Sequence, residues 1–308
     1  MPSQAKGEAP RADVRVSVIV PTYHRSVSLY KALMSLTTQT YGNFEVVVVD
    51  DNAEPERNQK SAAVIARIRE ETALELNYIV NEGHRGSAET RNIGIRAARG
   101  EYITFLDDDD IYLPEKIERQ LADMRATGAD YGITDLKLYN KEDVLVDTRS
   151  RAYIAEQTPE ALMRCHLLYH MTGTDTLMFR AAYLREIGGF PGIDVGDEFY
   201  LMERAILGGG KLAYSPHCFV KAYVHEGAGM GLSSGDKRIA GEKVLLEAKK
   251  KYFDRLSRRD RRYIIVRHYA VVAKTHLCTR RYLSFALACG RAFLVSPLAC
   301  VSLFRQHG

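Results

Sequence analysis

Residues 100–110, Gly-Glu-Tyr-Ile-Thr-Phe-Leu-Asp-Asp-Asp-Asp, constrain this chain more than any other stretch. An apolar, aromatic run that stops on four consecutive carboxylates, Asp107 to Asp110, predicts a buried strand delivering acids to the edge of a sheet. Two unit charges about 4 Å apart repel by roughly 4 kcal/mol at the effective dielectric near a protein surface, so such acids are either splayed into water or neutralised. Hard oxygen ligands suit Mg2+ or Mn2+, ions held by one or two carboxylates with a substrate's phosphates completing the shell. A solvated acidic loop is the plainer alternative.

The flanking chain alternates strand and helix. Arg15 to Val20 is a β-branched strand stopped by Pro21, and Thr22-Tyr23-His24-Arg25 is the polar loop at its carboxyl end. Leu29, Ala32, Leu33 and Leu36 then recur at helical spacing, with Ser26 or Ser28 as the cap. Asn43 to Val49 is continuously apolar, as a parallel strand buried on both faces is, and ends at Asp50-Asp51-Asn52. A helix over 61–71, a strand over 74–80, a loop over 81–86 and a helix from Ser87 lead to the acidic strand; a helix from Pro114 to Gly128 and a strand over 131–139 follow it. Strands alternating with helices imply a mostly parallel sheet covered on both faces, whose ligands bind beyond the carboxyl ends of the strands. That rule gathers residues 22–25, 50–52, 81–85 and 107–110 along one edge. Asp110 is expected to cap the following helix rather than to be a ligand.

The middle of the chain is less regular. It reads as a helix from Thr158 to Leu168, a short strand over 176–179, a turn-rich loop over 187–192, a helix capped by Asp197 and closed by Gly208-Gly209-Gly210, and a strand from Phe219 to Val224 ending at His225. From Asp236 the pattern is helical: to about Tyr252, from Tyr263 to Cys278, and an apolar stretch from Tyr282 to Phe304. Arg291 and Pro297 make that stretch a poor transmembrane helix. With Arg280, Arg281 and Arg305 beside it, it suits a helix lying on an anionic membrane surface or one packed on protein.

With 308 residues, one large or two small domains are expected, and residues 1–13 read as a disordered tail without a secretory signal. The net charge of +4 is modest, but Lys and Arg crowd the last quarter, so an anionic surface and not nucleic acid is the expected partner. Five cysteines without C-x-x-C spacing predict neither a disulfide framework nor a zinc site, and fit a reducing cytosol.

Four segments in order carry a resemblance: Val20-Pro21-Thr22-Tyr23-His24-Arg25, Gln39 to Asp51, Ala88-Glu89-Thr90-Arg91-Asn92-Ile93-Gly94, and Gly100 to Asp110. By these the chain resembles a family 2 glycosyltransferase of the GT-A fold over residues 16 to about 135. The resemblance implies an α/β, Rossmann-like fold, with a catalytic domain over 14–235 made of a nucleotide-binding half (14–112) and an acceptor-binding half (113–235), and a C-terminal helical region over 236–308.

The resemblance also implies roles. Pro21, Thr22, Tyr23, Arg25 and Asp51 would cradle the donor's base and ribose with Arg91 close by, while His24 stands where the family more often has Asn. The D-x-D motif corresponds to Asp107, Asp108 and Asp109; Asp107 and Asp108 would face the donor, and Asp107, Asp109 and the late His225 the metal. After the turn Gly188-Gly189-Phe190, an acidic pair opens a helix, so the base is Glu198 by aligned position or Asp197 by its shorter side chain. Gly173, Thr174 and Asp175 fall where related enzymes line the sugar pocket.

The implied reaction is an inverting transfer from a nucleotide sugar, UDP-linked, to a saccharide or lipid-linked saccharide with Mn2+ or Mg2+. It is expected in the cytoplasm, with contact at the inner face of the membrane and homo-oligomer formation both left open. The alternatives are a sugar nucleotidyltransferase, for which the loop over 21–25 lacks the glycines a nucleoside triphosphate needs, and a non-catalytic, membrane-associated nucleotide-sugar binding protein.

Overall fold

The computed structural model describes residues 14–193, 196–224 and 235–307; the expected tail over 1–13 and His225 lie outside them. The first half of the chain forms β1 (Val16–Thr22), α1 (Ser26–Leu36), β2 (Phe44–Asp50), α2 (Pro55–Glu71), β3 (Leu76–Val80), α3 (Ser87–Ala97), β4 (Tyr102–Phe105), β5 (Ile111–Tyr112), α4 (Lys116–Thr127) and β6 (Tyr131–Tyr139). Then come β7 (Leu145–Arg149), α5 (Pro159–Tyr169), β8 (Leu177–Arg180), α6 (Ala181–Glu186), α7 (Asp197–Leu207) and β9 (Leu212–Tyr223), followed by α8 (Asp236–Lys250), α9 (Arg258–Cys278), α10 (Tyr282–Val295) and α11 (Pro297–His307).

One sheet runs in the order β3-β2-β1-β4-β8-β6-β9-β5, with β7 paired to β6. Strands β3, β2, β1 and β4 are mutually parallel, as expected. Beyond β4 the sheet is mixed: β8 is antiparallel to both β4 and β6, while β6 and β9 are parallel. The parallel reading therefore describes the first four strands and the β6–β9 pair, whereas β8 runs against its neighbours and β7 returns on β6 directly as a hairpin without a crossover helix.

The period-two geometry of strands sorts the apolar runs onto two faces. Val46 and Val48 face one core with Leu29, Leu33 and Ile65 of α1 and α2; Val47 and Val49 face the other with Phe199 and Leu201 of α7 and Leu167 of α5. Helix α3 lies so close to β1 that a Cβ at Gly94 would come 2.5 Å from the Ile19 side chain. Tyr263 and Ile264 of α9 belong to the same core as α5 and α7, so the C-terminal helices pack on the sheet domain.

Several expectations change. Strands β5 and β7 and helix α6 go beyond the sequence reading; β5 is only two residues long, and β7 is mostly exposed with its alternation blurred by charged neighbours. Strand β9 begins seven residues before Phe219, and α9 begins at Arg258 rather than Tyr263. The apolar stretch over 282–304 is two helices, α10 and α11, bent by 113° at Ser296-Pro297. Among the described residues no single helix is long and apolar enough to cross a membrane.

Candidate active site

Parallel registry of β1 with β2 and β4 brings their carboxyl ends side by side, and the loops leaving them meet at one edge. Asp108, just past β4, is buried beneath the loop that follows β1. Its Oδ2 accepts from Thr22 Oγ1 at 2.8 Å and from Tyr23 N at 3.1 Å, and its Oδ1 accepts from Arg25 Nη1 at 3.2 Å. Asp109 takes the same arginine nitrogen at 2.6 Å. Burial is the main influence on Asp108 and pushes its carboxyl up to about 6, against the pull of Arg25.

Above this anchor lies a platform of rings. Tyr23, 42% exposed, stacks on His24 with centroids 3.8 Å apart and leans on His84 at 4.5 Å. His24 takes a left-handed backbone (φ 59°), held by its N–H donating to Asn52 Oδ1 at 2.6 Å. Such a face can stack on a planar base. Asp51 sits one loop over, where its oxygens accept from Arg85 N at 2.7 Å, Gly86 N at 2.9 Å and Asn81 Nδ2 at 2.8 Å. It braces the loop over 81–86. Pro21 lies inside β1, opposite Val49.

Deeper in, Asp107, Asp110 and Asp175 each turn one oxygen into a shared space, all within 4.8 Å of one another. Asp175 lies in a 3-10 turn (Thr174–Thr176) that Gly173 enters with φ +116°, and its Oδ1 accepts from Asp107 N at 2.6 Å. Asp110 does not cap a helix: α4 begins at Lys116 behind Glu115, and Asp110 Oδ1 accepts from Tyr223 N of β9 at 2.8 Å. Burial first, then repulsion by Asp107, pushes Asp175 up to about 8; burial and Asp175 raise Asp110 in the same direction. A hard divalent cation fits this donor set, since it would offset the burial and repulsion that raise Asp110 and Asp175. Below the cluster Lys116 is fully buried, donating to Thr104 Oγ1 and lying 4.3 Å from the Tyr112 ring centre, and burial drives its ammonium well below the usual lysine range.

Arg91 joins the acids to the acidic pair on α7. It is buried, with Nη2 donating to Asp107 Oδ1 at 2.5 Å and Nη1 to Asp197 Oδ2 at 3.2 Å. Asp197 Oδ2 also accepts from Ser87 Oγ at 3.0 Å. Asp197 is the first residue of α7, behind Gly196 as cap, and its Oδ1 accepts from Glu198 N at 2.9 Å. Glu198 accepts from Gly173 N at 2.8 Å and Thr174 Oγ1 at 2.6 Å, and burial together with neighbouring Asp197 raises its carboxyl. A carboxyl lifted this way is a stronger proton acceptor than an ordinary glutamate. Asp197, by contrast, is committed to Arg91 and Ser87.

Thr22, Tyr23, Arg25, Arg91, Asp107, Asp108, Asp109, Gly173, Thr174, Asp175, Asp197 and Glu198 thus form one connected group, with Asp51 beside it. Sequence reasoning missed Asp110 as a member, along with Ser87 and Lys116. Only Asp110 left a signal, as the fourth of the run. His166 is structural: its Nδ1 accepts from Met171 N at 3.2 Å, its Nε2 lies 2.9 Å from Phe199 O, and burial lowers it to about 3.

Residues 17–186 match the model of a family described as glycosyl transferase family 2. An uncharacterised glycosyltransferase of Haemophilus influenzae is 41% identical over 106 residues, covering 34% of this chain and 33% of that protein. The amylovoran biosynthesis glycosyltransferase AmsB of Erwinia amylovora is 36% identical over 110 residues, 36% of either chain. WfgD of Escherichia coli, a UDP-Glc:alpha-D-GlcNAc-diphosphoundecaprenol beta-1,3-glucosyltransferase, is 28% identical over 133 residues, 43% of this chain and 50% of that one. The matched part thus spans a third to a half of these relatives. Among solved structures, S. aureus TarS 1-349 with UDP-GlcNAc is 20% identical, with a TM-score of 0.59 over 95% of this chain and 92% of that one. Mannosyltransferase PcManGT from Pyrobaculum calidifontis, with GDP-Man and Mn2+, is 19% identical, with a TM-score of 0.54 over 95% of this chain and 76% of that one. At such identities these two carry the fold alone.

Proposed function

Because the chain belongs to glycosyltransferase family 2 and has the GT-A fold, we propose that it transfers a sugar from a UDP-linked donor to a saccharide or lipid-linked saccharide hydroxyl, with inversion. The observation that carries this reading is the convergence, at one sheet edge, of an exposed ring platform, an acid cluster and an acidic pair, with Arg91 bridging the last two. The ring of Tyr23 stacks on the base while Arg25 and Asp108 fix its loop, and residues 14–112 serve the donor while 113–235 serve the acceptor. Asp107 with Asp110 and Asp175 holds a divalent cation, Mn2+ or Mg2+, which when bound offsets charge on the leaving diphosphate. Asp109 with Asp107 and His225 is the other arrangement, from the resemblance.

Glu198 accepts the proton of the acceptor hydroxyl. That oxygen forms a bond to the anomeric carbon as the carbon–phosphate oxygen bond breaks, and UDP leaves with the electron pair from the opposite face. One displacement inverts the centre. Glu198 is favoured over Asp197 because its carboxyl is raised and its partners are neutral. Free cysteines suit a reducing compartment, and the exposed apolar side chains of α10 and α11 beside Arg280, Arg281 and Arg291 suit the inner membrane surface. Glu198→Gln is expected to lower turnover, read as UDP release with acceptor present, by about 10²- to 10⁴-fold, while binding of UDP with Mn2+ stays as in wild type. Undiminished turnover would refute the assignment.

A further inference from the structure

Helices α8, α9 and α10 pack on one another and leave a cavity of about 190 Å³ between them. Helical spacing decides what lines it. His268, Val272 and His276 follow at four-residue steps on α9, Ser284, Leu287, Ala288 and Arg291 form the facing stripe of α10, and Lys243 comes from α8. Val272 and the buried Ala288 make an apolar floor, while the exposed Lys243 and Arg291 stand at the rim. Among the described residues no carboxylate lines the cavity.

Its polar groups lack partners. Nδ1 of His268 and Nδ1 of His276 are enclosed without a hydrogen bond, and His268 is only 7% exposed. The Glu242 carboxylate stays 3.5 Å from His268 Nδ1, and Asp236, at the start of α8, is held by Arg281 at 2.5 and 3.1 Å. Neither Lys243 nor Arg291 forms an ion pair among the described residues. Buried ring nitrogens without partners are unfavourable, and the cavity is where a partner can enter.

The cavity is continuous with the apolar face of α10. Leu287 lines it and is 66% exposed, and Leu283 and Leu294 on the same helix face are each 85% exposed. A cationic niche beside a stripe of exposed leucines matches an amphiphile whose phosphate sits where its hydrocarbon begins. A free phosphate would cover the cations and leave the leucines in water.

We propose that this cavity holds the phosphodiester headgroup of one anionic phospholipid, with Lys243 and Arg291 on its oxygens and its acyl chains along Leu283, Leu287 and Leu294. The assignment rests on the membrane-surface reading of α10 and α11 above, and adds to it a site for a single lipid molecule.

The test is calorimetric titration of the full chain with dihexanoylphosphatidylglycerol below its micelle concentration, so that no bilayer is present. Wild type is expected to bind one molecule per chain, at least tenfold tighter than dihexanoylphosphatidylcholine or inorganic phosphate. Lys243→Gln and Arg291→Gln, both at exposed positions that folding tolerates, are expected to weaken binding at least tenfold. Arg280→Gln, which removes an exposed cation outside the cavity, should leave it unchanged. An unaltered thermal midpoint shows that each variant is folded. No saturable binding by wild type, equal affinity for the phosphatidylcholine or for phosphate, or equal weakening by all three variants overturns the proposal. Co-sedimentation of wild type with phosphatidylglycerol vesicles separates the two readings: vesicle binding without monomer binding sinks the headgroup site and spares the membrane contact, whereas no vesicle binding sinks both.

Discussion

Asp175 shows how much a single carboxyl can depend on distant chain. Nothing in Thr174-Asp175-Thr176 signals a perturbed acid; its pKa near 8 arises because folding buries it beside Asp107 and Asp110. The folded value lies above the unfolded one, near 3.8, so the stability that Asp175 contributes is fully present below about pH 4 and is lost as pH rises through 8. Asp110 shifts the same way. In EDTA, the thermal midpoint of wild type relative to Asp175→Asn is therefore expected to fall between pH 5 and 9. Saturating Mn2+ should flatten that decline, because the ion replaces the proton. A difference independent of pH would contradict this account of the cluster.

The neighbouring acids give a second prediction at this scale. Asp110→Asn is expected to weaken Mn2+ binding at least tenfold, whereas Asp109→Asn, which removes a partner of Arg25, should chiefly weaken UDP binding. Manganese titration of both variants followed by electron paramagnetic resonance decides between the two ligand sets. The sequence made the run of four acids conspicuous and made Asp110 a helix cap, and by resemblance it gave Asp107 and Asp109 to the metal. The surroundings of Asp110 and Asp109 instead depend on Tyr223 N, 113 positions away from Asp110, and on Arg25, 84 positions before Asp109.

At the level of elements, the strands and helices up to β6, apart from the two-residue β5 and the first six residues of α2, were legible because their apolar periodicities are unbroken and their ends carry Pro, Gly or Asp. Strand β7 was not, since an exposed hairpin arm needs no apolar face, and the antiparallel course of β8 is invisible in a four-residue run. Pro297 was visible as an interruption, but the 113° turn it introduces between α10 and α11 was not. The turn leaves Leu283, Leu287, Leu294 and Leu298 between 66% and 85% exposed. The double substitution Leu283→Asp with Leu294→Asp is expected to abolish co-sedimentation with phosphatidylglycerol vesicles. Exposed positions of this kind change folding stability by only about 0.5 kcal/mol. Undiminished sedimentation would assign these helices to contact with protein instead.

For the whole molecule, the decisive feature is β8. It comes from the proposed acceptor-binding half, yet it is hydrogen bonded between β4 of the donor-binding half and β6. A fragment of residues 14–112 would leave β4 as a bare hydrophobic edge, so it is expected to aggregate or to unfold without a cooperative transition, whereas residues 14–307 should unfold in one. Scanning calorimetry of the two distinguishes these outcomes. The interleaving of strands has a further effect. Two halves that share a continuous ladder of backbone bonds are not free to swing apart like jaws, because opening them would break the β4–β8 and β8–β6 pairings.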